Sequence, residues 1–320
     1  MLQVIVDWFL YNLFGLDPVS RIAQILNFFI YDSIKILLLL FFMIALIGFL
    51  RSYIDESRIR KWLTGKRRGT GNLLASLFGA ITPFCSCSSI PIFLSFLKAG
   101  IPLGTTFSFL ITSPLINEYL VVLMLGFFGW KITLAYVLSG IIIGTISGYI
   151  LGKMKLRKYL VKDLFEKKIK QKKENTFKKI NERIIFGVNE ARDIVKKLWI
   201  WILVGVGIGA LIHNYIPEKT ISNIIGKGGV FTVPISTLIG VPMYGSCAAI
   251  VPIATVLFQK GVPLGTALAF MMGIAALSFP EAIILRRAMK LRLIIIFFGV
   301  VTLAIIITGY LFNFLQGVLI

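Results

Sequence analysis

The polar stretch Thr82-Pro83-Phe84-Cys85-Ser86-Cys87-Ser88-Ser89 interrupts the apolar segment 71–98, and the stretch Val241-Pro242-Met243-Tyr244-Gly245-Ser246-Cys247 interrupts the apolar segment 229–259. Both segments are too long for one simple membrane span. Each half of segment 71–98 has about 11 residues, which as a helix measures ~16 Å, or half of a bilayer core. The sequence therefore predicts two half-helices around each polar stretch, arranged as a broken span or as a re-entrant hairpin.

The composition indicates an integral membrane protein. Of the 320 residues, 57% are hydrophobic and only 15% are charged, yet the net charge is +20. A soluble domain has about 45–50% apolar and about 25% charged residues. Because the basic residues lie between long apolar runs, we expect the lipid bilayer, and no nucleic acid, as a partner. Three cysteines cannot form a disulfide framework. The first 16 residues lack the basic start of a cleaved signal peptide.

Further apolar stretches approach the ~20 residues that a membrane span needs. One of them, 104–126, is interrupted by Ser113 and Pro114. The uninterrupted stretches are 36–50, 131–152, 198–214, 264–285 and 293–314.

The chain contains an internal duplication. Residues 95–110 (SFLKAGIPLGTTFSFL) and 256–271 (VLFQKGVPLGTALAFM) share six identical residues in 16 positions, at an offset of 161. We expect a first transmembrane repeat at 33–152 and a second at 194–320. Between them lies a basic cytoplasmic linker, 153–193. Residues 1–32 lie outside the duplication and form either an interfacial helix or an extra span.

The basic residues of the loops decide the topology. If every apolar segment crosses the membrane, the two sides carry 14 and 16 Lys and Arg residues. If segments 71–98 and 229–259 re-enter instead, the division is 26 to 4, as the positive-inside rule requires. Loops 51–70, 153–193 and 286–292 are then cytoplasmic. The predicted fold is an all-α polytopic membrane protein with two inverted-topology repeats, each of three transmembrane helices plus one re-entrant broken-helix hairpin.

Inverted repeats with broken helices at mid-membrane are typical of secondary transporters, because irregular backbone at that depth must line a cavity or be buried in protein. The alternative interpretation is that the breaks are packing kinks, since Pro and Gly are frequent in membrane helices.

Two carboxylates lie inside predicted spans, Glu118 and Glu281, and each follows a break. A charged carboxylate at mid-helix costs ~2.5–3.5 kcal/mol. We therefore predict that this pair couples transport to protons or substrate, with Glu118 as the main coupling group. The alternative is a carboxylate at the membrane boundary that pairs with Arg286 or is hydrogen-bonded by Asn117.

The three cysteines, Cys85, Cys87 and Cys247, all lie in the polar stretches, which meet if the hairpin tips converge. Three thiolates suit a soft, thiophilic species. The alternative is that the cysteines bind nothing and are small buried residues that let neighbouring backbones approach closely. We expect no resident metal and no cofactor. The further residues predicted to bind substrate are polar: Thr82, Ser86, Ser88, Ser246 and Asn117.

The motifs Thr-Pro-Phe-Cys-Ser-Cys-Ser-Ser-Ile-Pro at 82–91, Gly-Ile-Pro-Leu-Gly-Thr at 100–105 and Ser-Pro-Leu-Ile-Asn at 113–117 resemble the predicted permease family that includes the organoarsenical efflux permease ArsP and the YraQ-type permeases. The resemblance implies a plasma-membrane permease for efflux of trivalent arsenicals or related metalloids. It also implies that Cys85 and Cys87 handle the solute.

Other functions stay open at this point. A transporter could carry a small anion or a reduced sulfur compound, and a channel would need no coupling. A membrane thiol-redox enzyme would use Cys85 and Cys87, but residues two apart form only a strained disulfide, so we expect no enzyme. The sequence also leaves open whether the protein forms a homo-oligomer.

Overall fold

The computed structural model describes residues 2–51, 69–82, 86–154, 156–161, 180–215, 229–241, 243, 247–286 and 288–319. Within these ranges the regular elements are helical, and Leu160 and Met289 form an isolated antiparallel bridge. The helices are α1 (Leu2–Asp7), α2 (Arg21–Arg51), α3 (Thr70–Ile81), α4 (Ser86–Lys98), α5 (Leu103–Leu115), α6 (Glu118–Lys153), α7 (Ile180–Tyr215), α8 (Thr232–Gly240), α9 (Cys247–Gln259), α10 (Leu264–Ala276), α11 (Phe279–Leu285) and α12 (Leu291–Leu319).

Four stretches of the described chain are long and apolar enough to cross a membrane: Ile22–Leu46, Leu120–Lys153, Leu264–Leu285 and Leu291–Val318. The predicted all-α polytopic fold is confirmed. By contrast, α3 and α5 have 12 and 13 residues, so each is shorter than a ~30 Å hydrocarbon core. The duplicated parts of the chain therefore combine helices long enough to cross a membrane with helices that are too short to do so.

The duplication is visible in the helix bounds. Helices α4 and α9 both have 13 residues, and they begin at Ser86 and Cys247, which are 161 positions apart. Helices α5 and α10 also have 13 residues, and they begin at Leu103 and Leu264, again 161 positions apart. The offset found in the sequence motifs is thus also the offset of the secondary structure.

The turn before each of these inner helices has the same geometry in both copies. Gly100 and Gly261 have φ angles of 80° and 87°, a region that glycine adopts without steric cost. Pro102 and Pro263 follow with φ of −55° at the N-cap positions of α5 and α10. The shared Gly-x-Pro-Leu-Gly-Thr motif therefore encodes a sharp turn from each hairpin into the next helix.

Close helix packing is also repeated at the same offset. A Cβ atom on Gly104 of α5 would lie 2.8 Å from the carbonyl oxygen of Gly148 in α6. The equivalent pair, Gly265 of α10 and Gly309 of α12, leaves no room for a Cβ atom either. Small residues let membrane helices approach closely in this way. One position differs, since Asn313 replaces Gly152 and its Oδ1 accepts a hydrogen bond of 2.7 Å from the Gly265 N–H.

Helix α6 is interrupted at Gly129, whose φ of 80° and ψ of 174° are not helical. In the following limb, 130–153, the Tyr136 hydroxyl donates a 3.0 Å hydrogen bond to the Leu115 carbonyl. Further along this limb, Gly148 contacts Gly104. Residue numbers thus rise along the limb as they fall along α5, so the two helices are antiparallel. The predicted span 104–126 corresponds to α5 plus the first limb of α6, with a break between them.

The first helices of the two copies, α2 and α7, pack along their length in opposite directions. A Cβ atom on Gly187 would lie 2.9 Å from the Phe49 nitrogen, and one on Gly207 would lie 3.4 Å from the Phe29 ring. Equivalent helices that run antiparallel are what inverted repeats produce. This geometry supports the predicted inversion of the repeats, and their orientation in the membrane stays a prediction.

Helix α3 runs parallel to α5. Near its start, the Asn72 side chain donates a 2.9 Å hydrogen bond to the Ser108 hydroxyl. Near its end, a Cβ atom on Gly79 would lie 3.2 Å from the Ser113 nitrogen. Residue numbers therefore rise together along both helices.

Helix α4 runs against α5. Its second turn is joined to the end of α5 by a 2.9 Å hydrogen bond between the Ser89 and Ser113 hydroxyls. Its last turn packs the Phe96 ring on Phe109, with ring centroids 5.2 Å apart. Since α3 is parallel and α4 antiparallel to the same helix, the chain reverses between them. Helices α3 and α4 therefore form a hairpin that lies against α5.

Burial separates an inner layer from an outer one. Every residue of α5 from Gly104 to Leu115 is buried, and α10 is buried along nearly its whole length. Helix α12 instead exposes Ile295, Leu303 and Ile307 on its outer surface. In a membrane protein such surfaces face lipid. Helices α5 and α10 thus form the protein interior, and α12 lies at its outer surface.

Candidate functional site

The candidate site lies where the inner helices are interrupted. Helix α5 ends at Leu115, and α6 begins at Glu118. Helix α10 ends at Ala276, and α11 begins at Phe279. The two gaps are again 161 positions apart. Each gap leaves backbone groups that no helical hydrogen bond satisfies, so other protein groups or a ligand must pair with them.

The tip of the first hairpin is at the same level as the first gap. The hydrogen bond between Ser89 and Ser113 joins the second turn of α4 to the last turn of α5. The Thr82 hydroxyl donates a 2.8 Å hydrogen bond to the Phe78 carbonyl. This bond satisfies the C-terminal end of α3, so the Thr82 donor is already used and only its oxygen can accept from a ligand.

Helices of each copy also pack on a helix that follows the gap of the other copy. Helix α4 contacts α11, and α9 contacts α6. In the second contact the Phe258 and Phe128 rings are 6.0 Å apart, in tilted orientation. Elements of both copies therefore surround the two gaps.

The cysteines belong to the starts of two equivalent helices. The backbone of Cys87 is the second residue of α4, and that of Cys247 is the first residue of α9. The first turn of a helix presents backbone N–H groups that have no partner within the helix. Cys85 and Ser246 lie outside the described residues. For the predicted residues Ser86, Cys87, Ser88 and Cys247, the structure describes the backbone alone.

The two carboxylates predicted as a pair differ in environment. Glu118 is the first residue of α6 and is exposed. Glu281 in α11 is only 2% exposed, and no described side chain donates a hydrogen bond to either of its carboxylate oxygens. Arg286 is exposed, and the alternative of a Glu281–Arg286 ion pair is not observed. Asn117 lies half-buried in the first gap, where its carbonyl accepts a 2.9 Å hydrogen bond from the Val121 N–H.

Sequence reasoning did not single out Tyr136. Its ring is fully buried, and its hydroxyl donates to the Leu115 carbonyl, one of the groups that the gap after α5 leaves without a helical partner. The available signal was a phenol within the apolar stretch 131–152, since a buried Tyr hydroxyl normally has a hydrogen-bond partner.

Among the described side chains, no three His, Cys, Asp or Glu residues lie close enough together to hold a metal ion. The polar groups at the gaps are hydroxyls, a carboxyl and backbone amides.

Comparison with known proteins identifies the family. A family model described as a predicted permease, ArsP_1, matches residues 21–314. The chain belongs to this predicted permease family. It is a membrane permease with several membrane-spanning helices in the plasma membrane, and the suspected family resemblance is confirmed.

Three relatives resemble this permease over nearly their whole length. A Streptococcus mutans protein named as a presumed subunit of a two-component membrane permease complex is 24% identical over 90% of this chain and 94% of its own. UPF0718 protein MJ0584 of Methanocaldococcus jannaschii is 21% identical over 92% and 98%. UPF0718 protein YcgR of Bacillus subtilis is 23% identical over 89% and 96%. No solved structure matches the chain.

Proposed function

We propose that this permease is a secondary transporter that exports a small thiophilic solute, a trivalent arsenical or a related metalloid compound. The observation that carries the proposal is the placement of Cys87 and Cys247 in the first turns of equivalent helices, at the tips of two elements that pack on the broken helices. The family, whose members are permeases by description, agrees with transport in general.

The proposed binding chemistry is ligand exchange between thiolates. Trivalent arsenic is a soft centre that prefers sulfur ligands, and the amides at the start of α4 and α9 favour the thiolate form. Cys85, Cys87 and Cys247 supply the sulfur ligands of the central site. Around them we place the hydroxyls of Thr82, Ser86, Ser88 and Ser246 and the amide of Asn117.

Coupling to protons is assigned to a buried carboxyl. An ionised carboxylate buried without a partner costs several kcal/mol, so we propose that Glu281 is protonated in the described conformation and releases its proton when solvent reaches the gap. Helix α11 packs on α4, so a charge on Glu281 acts beside the hairpin that carries Cys87. Glu118, which is already exposed, would have a smaller part in coupling.

The test is resistance of cells to a trivalent arsenical. In a strain without other arsenic exporters, Cys85→Ser and Cys87→Ser are each expected to lower the tolerated methylarsenite concentration by about tenfold, equal to ~1.4 kcal/mol of binding. The matched control is Ser95→Ala, which removes a polar atom from the same helix two turns beyond the tip. Protein amount in membranes is measured for each variant. Unchanged resistance in both cysteine variants would contradict the proposal that the transported solute is thiophilic.

A second candidate substrate is a small anion or a reduced sulfur compound, because α4 and α9 both present N-terminal amides at the hairpin tips and such amides bind anions. Thermal-shift measurements on a purified cysteine-free variant separate the two substrates. A protective anion would raise the Tm of that variant, whereas a trivalent arsenical would leave it unchanged.

A further inference from the structure

A basic cavity lies outside the candidate site, where α6 ends and α12 begins. Its volume is about 500 Å³, within the range of small-ligand sites. It is partly open to solvent. The lining residues are Lys158, Tyr159, Lys290, Leu291 and Arg292.

The backbone holds the two walls of this cavity together. Leu160 and Met289 form the isolated antiparallel bridge and are both buried. Next to the bridge, the Lys290 N–H donates a 2.9 Å hydrogen bond to the Tyr159 carbonyl. Main-chain hydrogen bonds therefore hold Tyr159 next to Lys290, 131 positions away in sequence. The two walls of the cavity are positioned by the backbone.

The described lining of the cavity is positively charged. Three of its five described residues are cations, and none of these five is acidic. The Lys158 ammonium lies 5.1 Å from the centre of the Tyr159 ring. Lys158 and then Arg292 lower the pKa of the Tyr159 phenol, because both favour a negative oxygen at this place. An anion with several acceptor oxygens would be bound here by charge-assisted hydrogen bonds.

The cavity is also at the edge of the membrane-spanning part. The candidate span Leu120–Lys153 ends five residues before Lys158, and the span Leu291–Val318 begins inside the cavity wall. Leu291 is half exposed beside the cations. A ligand with a phosphate at one end and hydrocarbon at the other would match this pairing of positive charge and apolar surface.

We propose that this cavity, formed by Lys158, Tyr159, Lys290, Leu291 and Arg292, binds the phosphate head group of an anionic phospholipid in the cytoplasmic leaflet. The last helix of the first copy leads into one wall, and the last helix of the second copy leads out of the other. A bound phosphate therefore bridges the two copies at one face of the protein, which stabilises their assembly.

The experiment measures the Tm of the purified full-length permease in nanodiscs. Discs that contain phosphatidylglycerol are compared with discs of phosphatidylcholine alone, and a third sample in phosphatidylcholine receives inorganic phosphate. We expect phosphatidylglycerol to raise the Tm by about 3–5 °C, because a ligand that binds only the folded state stabilises it. The double variant Lys290→Gln/Arg292→Gln should lose most of this rise.

The control is Arg157→Gln, which removes an exposed cation from the same segment outside the cavity lining and should keep the full rise. If the double variant does not fold, the single variant Lys158→Gln takes its place, with at least half of the rise lost. A rise that survives removal of the lining cations overturns the proposal, as does an equal Tm in the two lipids. An equal rise with inorganic phosphate alone would show a site for free phosphate and overturn the lipid assignment.

Discussion

The two copies of the duplicated unit share their closest helix contacts and differ in the polar groups at their gaps. Gly79 of the first hairpin fits against the Phe109 carbonyl, where a Cβ atom would come within 3.1 Å. In the second copy, a Cβ atom on Gly240 would lie 2.8 Å from the Phe270 carbonyl oxygen. The backbone packing at these two glycines thus follows the duplication, whereas the polar groups at the gaps differ between the copies.

The first gap has a hydroxyl donor that the equivalent residue of the second copy cannot supply. Tyr136 donates its hydroxyl to the end of α5. The equivalent residue of the second copy is Phe297, which has no donor and instead stacks on Phe107 at 5.4 Å. The two carboxyls also differ, because Glu118 is exposed and Glu281 is buried with no hydrogen bond from a described residue. We therefore expect the proposed coupling to depend more on the second gap than on the first.

The largest expected effect concerns the two carboxyls. We predict that Glu281→Gln lowers proton-gradient-driven transport by about 100-fold, or ~3 kcal/mol, because the amide cannot release a proton. Glu118→Gln should lower it less than about threefold, or ~0.6 kcal/mol. The measurement is substrate uptake into inverted vesicles with and without an imposed pH gradient.

Solute exchange without a gradient serves as the control, since Glu281→Gln should still bind and exchange solute if the carboxyl acts in coupling alone. Equal loss in the two variants would contradict the asymmetry between the gaps. If uptake by the Glu281→Gln variant still increases with the pH gradient, Glu281 does not couple transport to protons.

The shared packing gives the next largest effect. A Cβ atom on Gly148 would lie 2.7 Å from the Ser108 nitrogen and 2.8 Å from the Gly104 carbonyl oxygen, and neither backbone atom can move freely. We predict that Gly148→Ala destabilises the protein by about 2 kcal/mol through overpacking. Gly126→Ala in the same helix meets nothing within 4 Å, so it should be neutral or stabilising by up to ~1 kcal/mol.

Thermal unfolding of the purified variants in one detergent measures this difference. Gly309→Ala tests the second copy, where the Val233 side chain and the Ala269 Cβ are within 3 Å of a new Cβ atom. Its matched control is Gly299→Ala in the same helix, with open space around it. If the Gly148→Ala and Gly126→Ala variants unfold at the same temperature, the close approach of Gly148 to α5 does not contribute to stability.

The fold was largely predictable because its signals are local and repeated. The motif around Gly100 and Pro102 recurs at Gly261 and Pro263, and both copies give the same turn and the same helix start. Loop charges predicted an inversion that the antiparallel packing of α2 on α7 supports. Hydropathy alone could not show the turn at Gly129, since apolar residues continue on both sides of it.

The site was less predictable because partners and burial depend on distant residues. Glu118 and Glu281 have equivalent surroundings in sequence, and only the folded chain distinguishes an exposed carboxyl from a buried one. Tyr136 pairs with a carbonyl 21 positions away, a distance at which no helical periodicity links two residues. The cysteine site stays a prediction that the resistance measurements test.

The smallest expected effect tests the structural role of the first gap. Tyr136→Phe removes the donor to the Leu115 carbonyl and leaves a buried acceptor unpaired, which costs about 1–2 kcal/mol. The same substitution at Tyr11, a half-buried tyrosine outside both gaps, should cost less than about 0.5 kcal/mol. Thermal unfolding in detergent measures both. Since Phe297 already occupies the equivalent position in the second copy, Tyr136→Phe makes the two gaps alike. Unchanged stability would mean that the first gap needs no hydroxyl, and the contrast between the gaps would then rest on the carboxyls alone.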